Sequence, residues 1–129
     1  MPIETSIDSA TGLRTHVATG TLTPDELENA LLGAYRRSDY RPEANSLCDL
    51  RGVDVEAFTG PEVRRIVDAV LKHRGAPPGI RTAIVVGRDL SYGLARMFAQ
   101  QLEAESPSDV TVFSDMNEAM AWLKGDAEE

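Results

Sequence analysis

The sequence contains few of the residues that form disulfides, metal centres or nucleophilic sites. It has one cysteine and two histidines among 129 residues, so it cannot form an internal disulfide or a cysteine-rich zinc site. No apolar run approaches the ~20 residues that a membrane-spanning helix needs, and the first residues carry acids where a signal peptide carries positive charge. We therefore expect a cytoplasmic protein that is not inserted in a membrane.

The composition is typical of one globular domain. Hydrophobic residues make up 42% and charged residues 26% of the chain, which is close to the average for soluble domains. A chain of this length buries a single core, and no internal repeat or long linker divides it. We predict one domain over residues 1–129, with an acidic, frayed tail from about residue 125.

Acidic residues outnumber basic ones. The chain has 13 Lys and Arg against 21 Asp and Glu, a formal net charge of −8, which opposes binding to nucleic acid or to an anionic membrane surface. Residues 36–96 are nonetheless mildly basic, with eleven bases and eight acids. One interpretation is a set of solvated helix faces, and the other is a patch for an acidic protein or a phosphorylated ligand. The bases on the two helices predicted there are Arg36, Arg37, Arg64, Arg65, Lys72 and Arg74.

Hydrophobic periodicity predicts an α/β fold. Residues 2–7 and 13–22 alternate as the strands of a β-hairpin, and each later strand is followed by a helical pattern, which gives the order ββαβαβαβα. Strand-helix-strand units require right-handed crossovers, so we predict a single domain with a mostly parallel sheet, an antiparallel N-terminal hairpin strand and four helices. The later strands are predicted at 46–51, 82–87 and 110–113.

Two of the four helices begin with the same local signal. Thr23 followed by Glu26, and Thr59 followed by Glu62, each have the spacing of a capping box. The third helix is predicted from about Leu90 to Glu105 and the fourth as a short final helix. The boxes fix where the first two helices begin, and both helices carry an apolar stripe that predicts one buried face.

Several segments in this order resemble the STAS domain of anti-sigma-factor antagonists, in particular the SpoIIAA-like branch that is grouped with STAS/SEC14 proteins. The segments are residues 20–24, 48–53, 91–98, 112–115 and 119–123. The resemblance covers nearly the whole chain. It implies a small, cofactor-free, non-enzymatic bacterial domain that binds proteins or small ligands.

One position departs from the pattern of the antagonists that answer to an anti-sigma kinase. In those proteins a serine at the start of the second helix, preceded by Asp, is phosphorylated to release the partner. The resemblance puts Phe58 at the serine and Ala57 at the Asp, with Thr59 just after. Because Thr59 is already assigned as a helix cap, we predict that the usual phosphorylation switch is missing.

No set of residues in the sequence forms a recognisable catalytic or metal-binding motif. A nucleophile needs a base within reach, and we interpret His16 as a half-exposed strand residue and His73 as a cation at a helix C-terminus. Cys48 alternates with Leu50 toward the core, so we expect it to be a small buried hydrophobe. No metal-ligand spacing occurs. We predict that the protein is not an enzyme and needs no cofactor.

Charged residues converge at the carboxyl edge of the predicted sheet, where parallel α/β sheets bind ligands. Two helix N-termini point unpaired N–H groups toward the same edge. One interpretation is an anion-binding site, and the alternative is that Asp49 neutralises Arg51 and Asp89 neutralises Arg88. The candidate ligand-binding residues are Asp49, Arg51, Thr59, Arg88 and Tyr92.

Two hypotheses about function compete. The first is a non-catalytic STAS-like interaction module for a protein partner, with another copy of this chain as one candidate. The second is a carrier of a small apolar or anionic ligand, as the SEC14 comparison implies for lipid. A fully packed core would favour the first, and a void lined by Leu, Phe and Met side chains beneath the third helix would favour the second.

Overall fold

The computed structural model describes residues 3–54, 58–75, 77–87, 90–106 and 108–125. Residues 126–129, in the predicted frayed tail, lie outside the described residues. The strands are β1 (Ile3–Ile7), β2 (Arg14–Thr21), β3 (Ser46–Asp54), β4 (Arg81–Val85) and β5 (Asp109–Phe113). The helices are α1 (Pro24–Tyr35), α2 (Gly60–His73), α3 (Leu90–Glu105) and α4 (Met116–Leu123).

The strands form one five-stranded sheet in the order β1-β2-β3-β4-β5. β1 is antiparallel to β2, and every other neighbouring pair is parallel. The element order and the mixed sheet confirm the predicted single α/β domain. Among the described residues, no helix is both long and apolar enough to cross a bilayer.

The helices cover the two faces of the sheet unequally. α1, α2 and α3 pack on one face, where Leu31, Ile66 and Ala99 join the main core cluster with Ile84 of β4. α4 covers part of the other face through Ala119, against a second cluster that includes residues of β3 and β4. The large apolar core therefore lies between the sheet and α1–α3.

The inward face of β2 carries polar residues. Arg14, His16 and Ala18 are buried, whereas Val17 between them is 43% exposed. The expectation that His16 is half-exposed is wrong, because its side chain is only 1% exposed. β2 lies between β1 and β3 in the sheet, so its inner positions are screened on both sides as well as by the helices above.

The two helix caps differ. At α1 the Thr23 hydroxyl accepts from the Glu26 amide at 3.1 Å, and the Glu26 carboxylate accepts from the Thr23 amide at 2.9 Å, which is the complete predicted box. At α2 the Thr59 hydroxyl accepts from the Glu62 amide at 3.5 Å. The Glu62 carboxylate instead contacts Arg65 at 3.2 Å. Only the hydrogen bond to the Thr59 hydroxyl of the second predicted box is therefore present.

Two arginines of α2 link the three helices at the surface. Arg65 lies 2.7 Å from Asp25 and 3.0 Å from Glu28 on the α1 side. Arg64 lies 2.6 Å from Glu105 of α3. For these two residues the solvated-face interpretation of the basic segment is confirmed.

Candidate functional site

A cavity of about 90 Å³ lies between the sheet and helices α1, α2 and α3. Each helix contributes apolar side chains from its inward stripe, and β3 and β4 contribute the floor through residues such as Cys48 and Ile84. A void that holds one water needs only about 10–15 Å³, so this cavity is large for a protein interior. The helix side chains around it include Leu27, Leu31, Val63, Ile66, Leu94 and Phe98.

The two ends of the cavity differ in polarity. Leu50, Phe58 and Leu94, which line the end near the carboxyl termini of the strands, are apolar and half-buried. The opposite end is lined by side chains from the first residues of β2, β3 and β4 and from the end of α2. These side chains are polar and buried: Arg14, Ser46, Arg74 and Thr82.

Arg14 is held in place by its neighbours on β2, β1 and the end of α1. Its Nε donates to His16 Nε2 at 3.0 Å, so His16 must carry its proton on Nδ1, which then donates to Thr5 Oγ1 at 2.8 Å. The guanidinium carbon lies 5.0 Å from the ring centroid of Tyr35 and 5.3 Å from that of Tyr40. Such cation-π contacts position the guanidinium without neutralising it.

The titratable groups next to Arg14 are neutral. Burial, with a smaller effect of the Arg14 charge, lowers the pKa of His16 to about 3. Burial raises the pKa of Cys48 to about 12 and also raises the pKa of Tyr35. Around neutral pH these side chains therefore supply no negative charge to the cavity.

Arg74 approaches the same end from the C-terminus of α2 and is 6% exposed. Its Nη2 donates to Thr82 Oγ1 at 2.9 Å, and Thr82 Oγ1 lies 3.0 Å from Ser46 Oγ. Burial lowers the pKa of Arg74, and the charge of Arg14 acts in the same direction. Within the part of the chain that the structure describes, neither guanidinium forms an ion pair with a carboxylate.

The site residues predicted at the carboxyl edge of the sheet are only partly brought together. Arg51 donates through Nε and Nη2 to the Asp49 carboxylate at 3.0 and 2.9 Å, and this lowers the pKa of Asp49. Thr59 caps α2, and Tyr92 packs against the main core. Arg88 lies outside the described residues, so an anion site at this edge stays a prediction.

Sequence reasoning missed the two buried arginines. The solvated-face interpretation is wrong for Arg74, because its side chain is buried at the end of the cavity. Arg14 falls within the strand predicted over residues 13–22, and the sequence assigned it no further role. The available signal was its alternation with His16 and Ala18, which puts all three on one face of β2.

The mixed five-stranded sheet, the four helices and their order define a SpoIIAA-like α/β domain. One solved structure similar to this chain is that of an uncharacterized protein from the DUF3478 family with a SpoIIAA-like fold, from Shewanella loihica PV-4. The two superpose with a TM-score of 0.60 and 21% sequence identity, over 94% of this chain and 93% of that chain. The likeness confirms the predicted STAS/SpoIIAA-like fold.

Neither the protein-family models nor the curated proteins include a match to this sequence. Among the described residues, no group of three or more His, Cys, Asp or Glu side chains is placed to hold a metal ion. The cavity beneath α1, α2 and α3 is the candidate functional site.

Proposed function

We propose that the protein is a non-catalytic domain that binds a small ligand with an apolar body in the cavity beneath α1, α2 and α3. The observation that carries this proposal is the cavity itself. Protein interiors are packed as densely as organic crystals, and voids larger than a water molecule are few. A void of about 90 Å³ with largely apolar walls is suited to an apolar guest.

The cavity favours the carrier hypothesis over the interaction module. It lies beneath α3, and its walls are rich in Leu and include Phe58 and Phe98, although no methionine is among the lining residues that the structure describes. Phe58, which stands where the phosphorylated serine of the antagonists would be, is part of this wall. An apolar side chain at that position serves a ligand cavity and cannot accept a phosphate.

The groups nearest to the cavity that could take part in nucleophilic chemistry are inactive in this arrangement. The Cys48 thiol, with its pKa raised to about 12, is not a thiolate near neutral pH. Both ring nitrogens of His16 are occupied by hydrogen bonds to Arg14 and Thr5. These features support a binding role in place of a catalytic one.

Methyl NMR of the full chain with hexanoate and 1-hexanol tests the proposal. We expect at least one of the two ligands to shift the methyl signals of Leu31, Val70 and Ile84, which line the cavity. The methyls of Leu47 and Val85, which lie in the cluster under α4, should not move. If neither ligand moves the cavity methyls at millimolar concentration, the proposal is wrong.

A matched pair of α3 variants tests where the ligand lies. Ala95 lines the cavity, and Ala104 on the same helix is exposed. Ala95→Leu places three extra carbon atoms into the void and should abolish binding, whereas Ala104→Leu should bind as the wild type does. Equal binding by the two variants would contradict a ligand in this cavity.

A further inference from the structure

We infer that the ligand of the cavity is an aliphatic monocarboxylate whose carboxylate lies between Arg14 and Arg74 and whose tail runs toward Phe58 and Leu94. The inference rests on the proposed function and adds the chemical class of the head group. It is carried by two buried guanidinium groups at one end of an otherwise apolar cavity, neither of which has a carboxylate partner among the described residues.

Charge balance favours an anion at this end. A buried charge is costly unless it is paired and hydrogen-bonded, and Arg14 and Arg74 are only 5% and 6% exposed. Their neighbours Tyr35, Cys48 and His16 are neutral, as described above. The described part of the chain provides no carboxylate for either arginine, and a ligand carboxylate between them would supply the compensating negative charge.

The free donors fit a carboxylate. Arg14 uses Nε to hold His16 and keeps both Nη groups, which make no hydrogen bond within the described residues. Arg74 uses Nη2 for Thr82 and keeps Nη1 and Nε. Guanidinium groups bind the two oxygens of a planar carboxylate through parallel N–H bonds. A dianion such as phosphate would lose more hydration on entering an end that is otherwise closed by buried side chains.

The apolar remainder of the cavity fits an alkyl tail. Its volume of about 90 Å³ is several times the roughly 10–15 Å³ that one enclosed water needs, so it has room for more than a carboxylate group. The head and the first methylene groups are therefore enclosed, and a longer tail reaches the half-buried rim at Leu50, Phe58 and Leu94. Each enclosed methylene should raise the affinity about fourfold, and the gain should stop once the tail passes the rim.

Isothermal titration calorimetry of the full chain at neutral pH tests the head group. The probes are hexanoate, 1-hexanol, acetate and inorganic phosphate. We expect hexanoate to bind at least roughly tenfold more tightly than 1-hexanol, since a hydrogen bond to a charged group contributes that much or more. Acetate and phosphate should bind more weakly than hexanoate because they lack the tail. This comparison uses only the wild-type protein.

An arginine variant with a matched control tests the position of the carboxylate. Arg74→Met keeps an unbranched apolar stem and removes the charged end, so it should lose at least roughly tenfold in hexanoate affinity while 1-hexanol binding stays the same. Arg36→Met, at an exposed position just after α1, should leave both affinities unchanged. If Arg74→Met does not fold, the wild-type comparison above still decides the question.

The possible results distinguish a failure of the head-group inference from a failure of the proposed ligand-binding function. If 1-hexanol binds as tightly as hexanoate, the head-group inference is wrong and the apolar-ligand function stands. If phosphate or acetate binds as tightly as hexanoate, the site is a simple anion site and the inference is again wrong. If none of the four probes binds, both the inference and the proposed function are overturned.

Discussion

Arg14 and His16 are neighbours on the inward face of β2, and each determines the state of the other. The arginine can only donate, so the hydrogen bond at 3.0 Å makes His16 Nε2 an acceptor. The neutral imidazole in turn adds no negative charge beside the guanidinium of Arg14. The buried histidine thereby orients the guanidinium group of Arg14 through a hydrogen bond.

The depressed pKa of His16 predicts a pH dependence of stability. The unfolded chain binds a proton at this residue near pH 6.5 and the folded chain only near pH 3. Between these values the unfolded state holds more protons, so the free energy of unfolding falls as pH falls, by up to about 1.4 kcal/mol per pH unit. From about pH 6 to pH 5, urea denaturation should show a wild-type loss roughly 1 kcal/mol larger than that of His16→Gln.

The control for this measurement is a substitution that changes no titratable group. Asn117 is exposed on α4, so Asn117→Gln should keep the wild-type slope. A slope that is the same in wild type and His16→Gln would show that His16 is protonated in the folded protein near its ordinary pKa.

At the scale of single elements, the two N-caps show how far a local motif determines local geometry. Thr23 and Glu26 form both hydrogen bonds of the box, because the first turn of α1 places them face to face. At α2 the Thr and Glu have the same spacing, but Arg65 follows Glu62 by one turn and the Glu62 carboxylate contacts its guanidinium. This ion pair within the helix replaces the hydrogen bond that Glu62 would accept from the Thr59 amide.

This difference predicts unequal costs for the two cap deletions. Thr23→Ala removes the 3.1 Å hydrogen bond that the hydroxyl accepts in the complete box and should lower the free energy of unfolding by about 1 kcal/mol. Thr59→Ala removes one hydrogen bond of 3.5 Å, near the limit of useful length, and should cost roughly half as much. Urea denaturation of both variants checks the order, and a larger loss for Thr59→Ala would contradict the geometry described for α2.

For the whole molecule, the unequal covering of the sheet determines where a void can exist. Three helices meet over β2, β3 and β4, and their stripes do not close completely above Cys48 and Ile84. The surface ion pairs of Arg64 and Arg65 connect α2 to α3 and to α1 on the solvent side of the helices. The cavity lies between these helices and the sheet.

Two alanines of α3 distinguish the void from the packed core. Both alanines belong to the main core cluster, but Ala95 lines the cavity, whereas Ala99, one turn later, is not among its described lining residues. Ala99→Leu should lower the free energy of unfolding by about 1–3 kcal/mol through overpacking. Ala95→Leu should change it by less than about 1 kcal/mol, because its extra atoms enter empty space. Thermal or urea unfolding of both variants measures the difference, and equal losses would show that the void is absent in solution.

Local patterns in the sequence were sufficient to predict the order of strands and helices, the hairpin, the cap at Thr23 and the parallel sheet. Each of these features depends on residues a few positions apart, through alternation, helical spacing and hydrogen bonds within one turn. The bounds of α3, Leu90–Glu105, were predicted as the structure has them. The SpoIIAA-like fold was predicted from short segments in the right order and is confirmed.

The polar end of the cavity depended on the tertiary structure. It combines Arg14, Ser46, Arg74 and Thr82, which are far apart in the sequence and meet only because three parallel strands and the end of α2 start or stop at one level. Alternation shows that two residues share a face, but it does not show which face the helices cover. Arginines usually lie at the surface, so the burial of these two was decided by packing between elements, which no local pattern encodes.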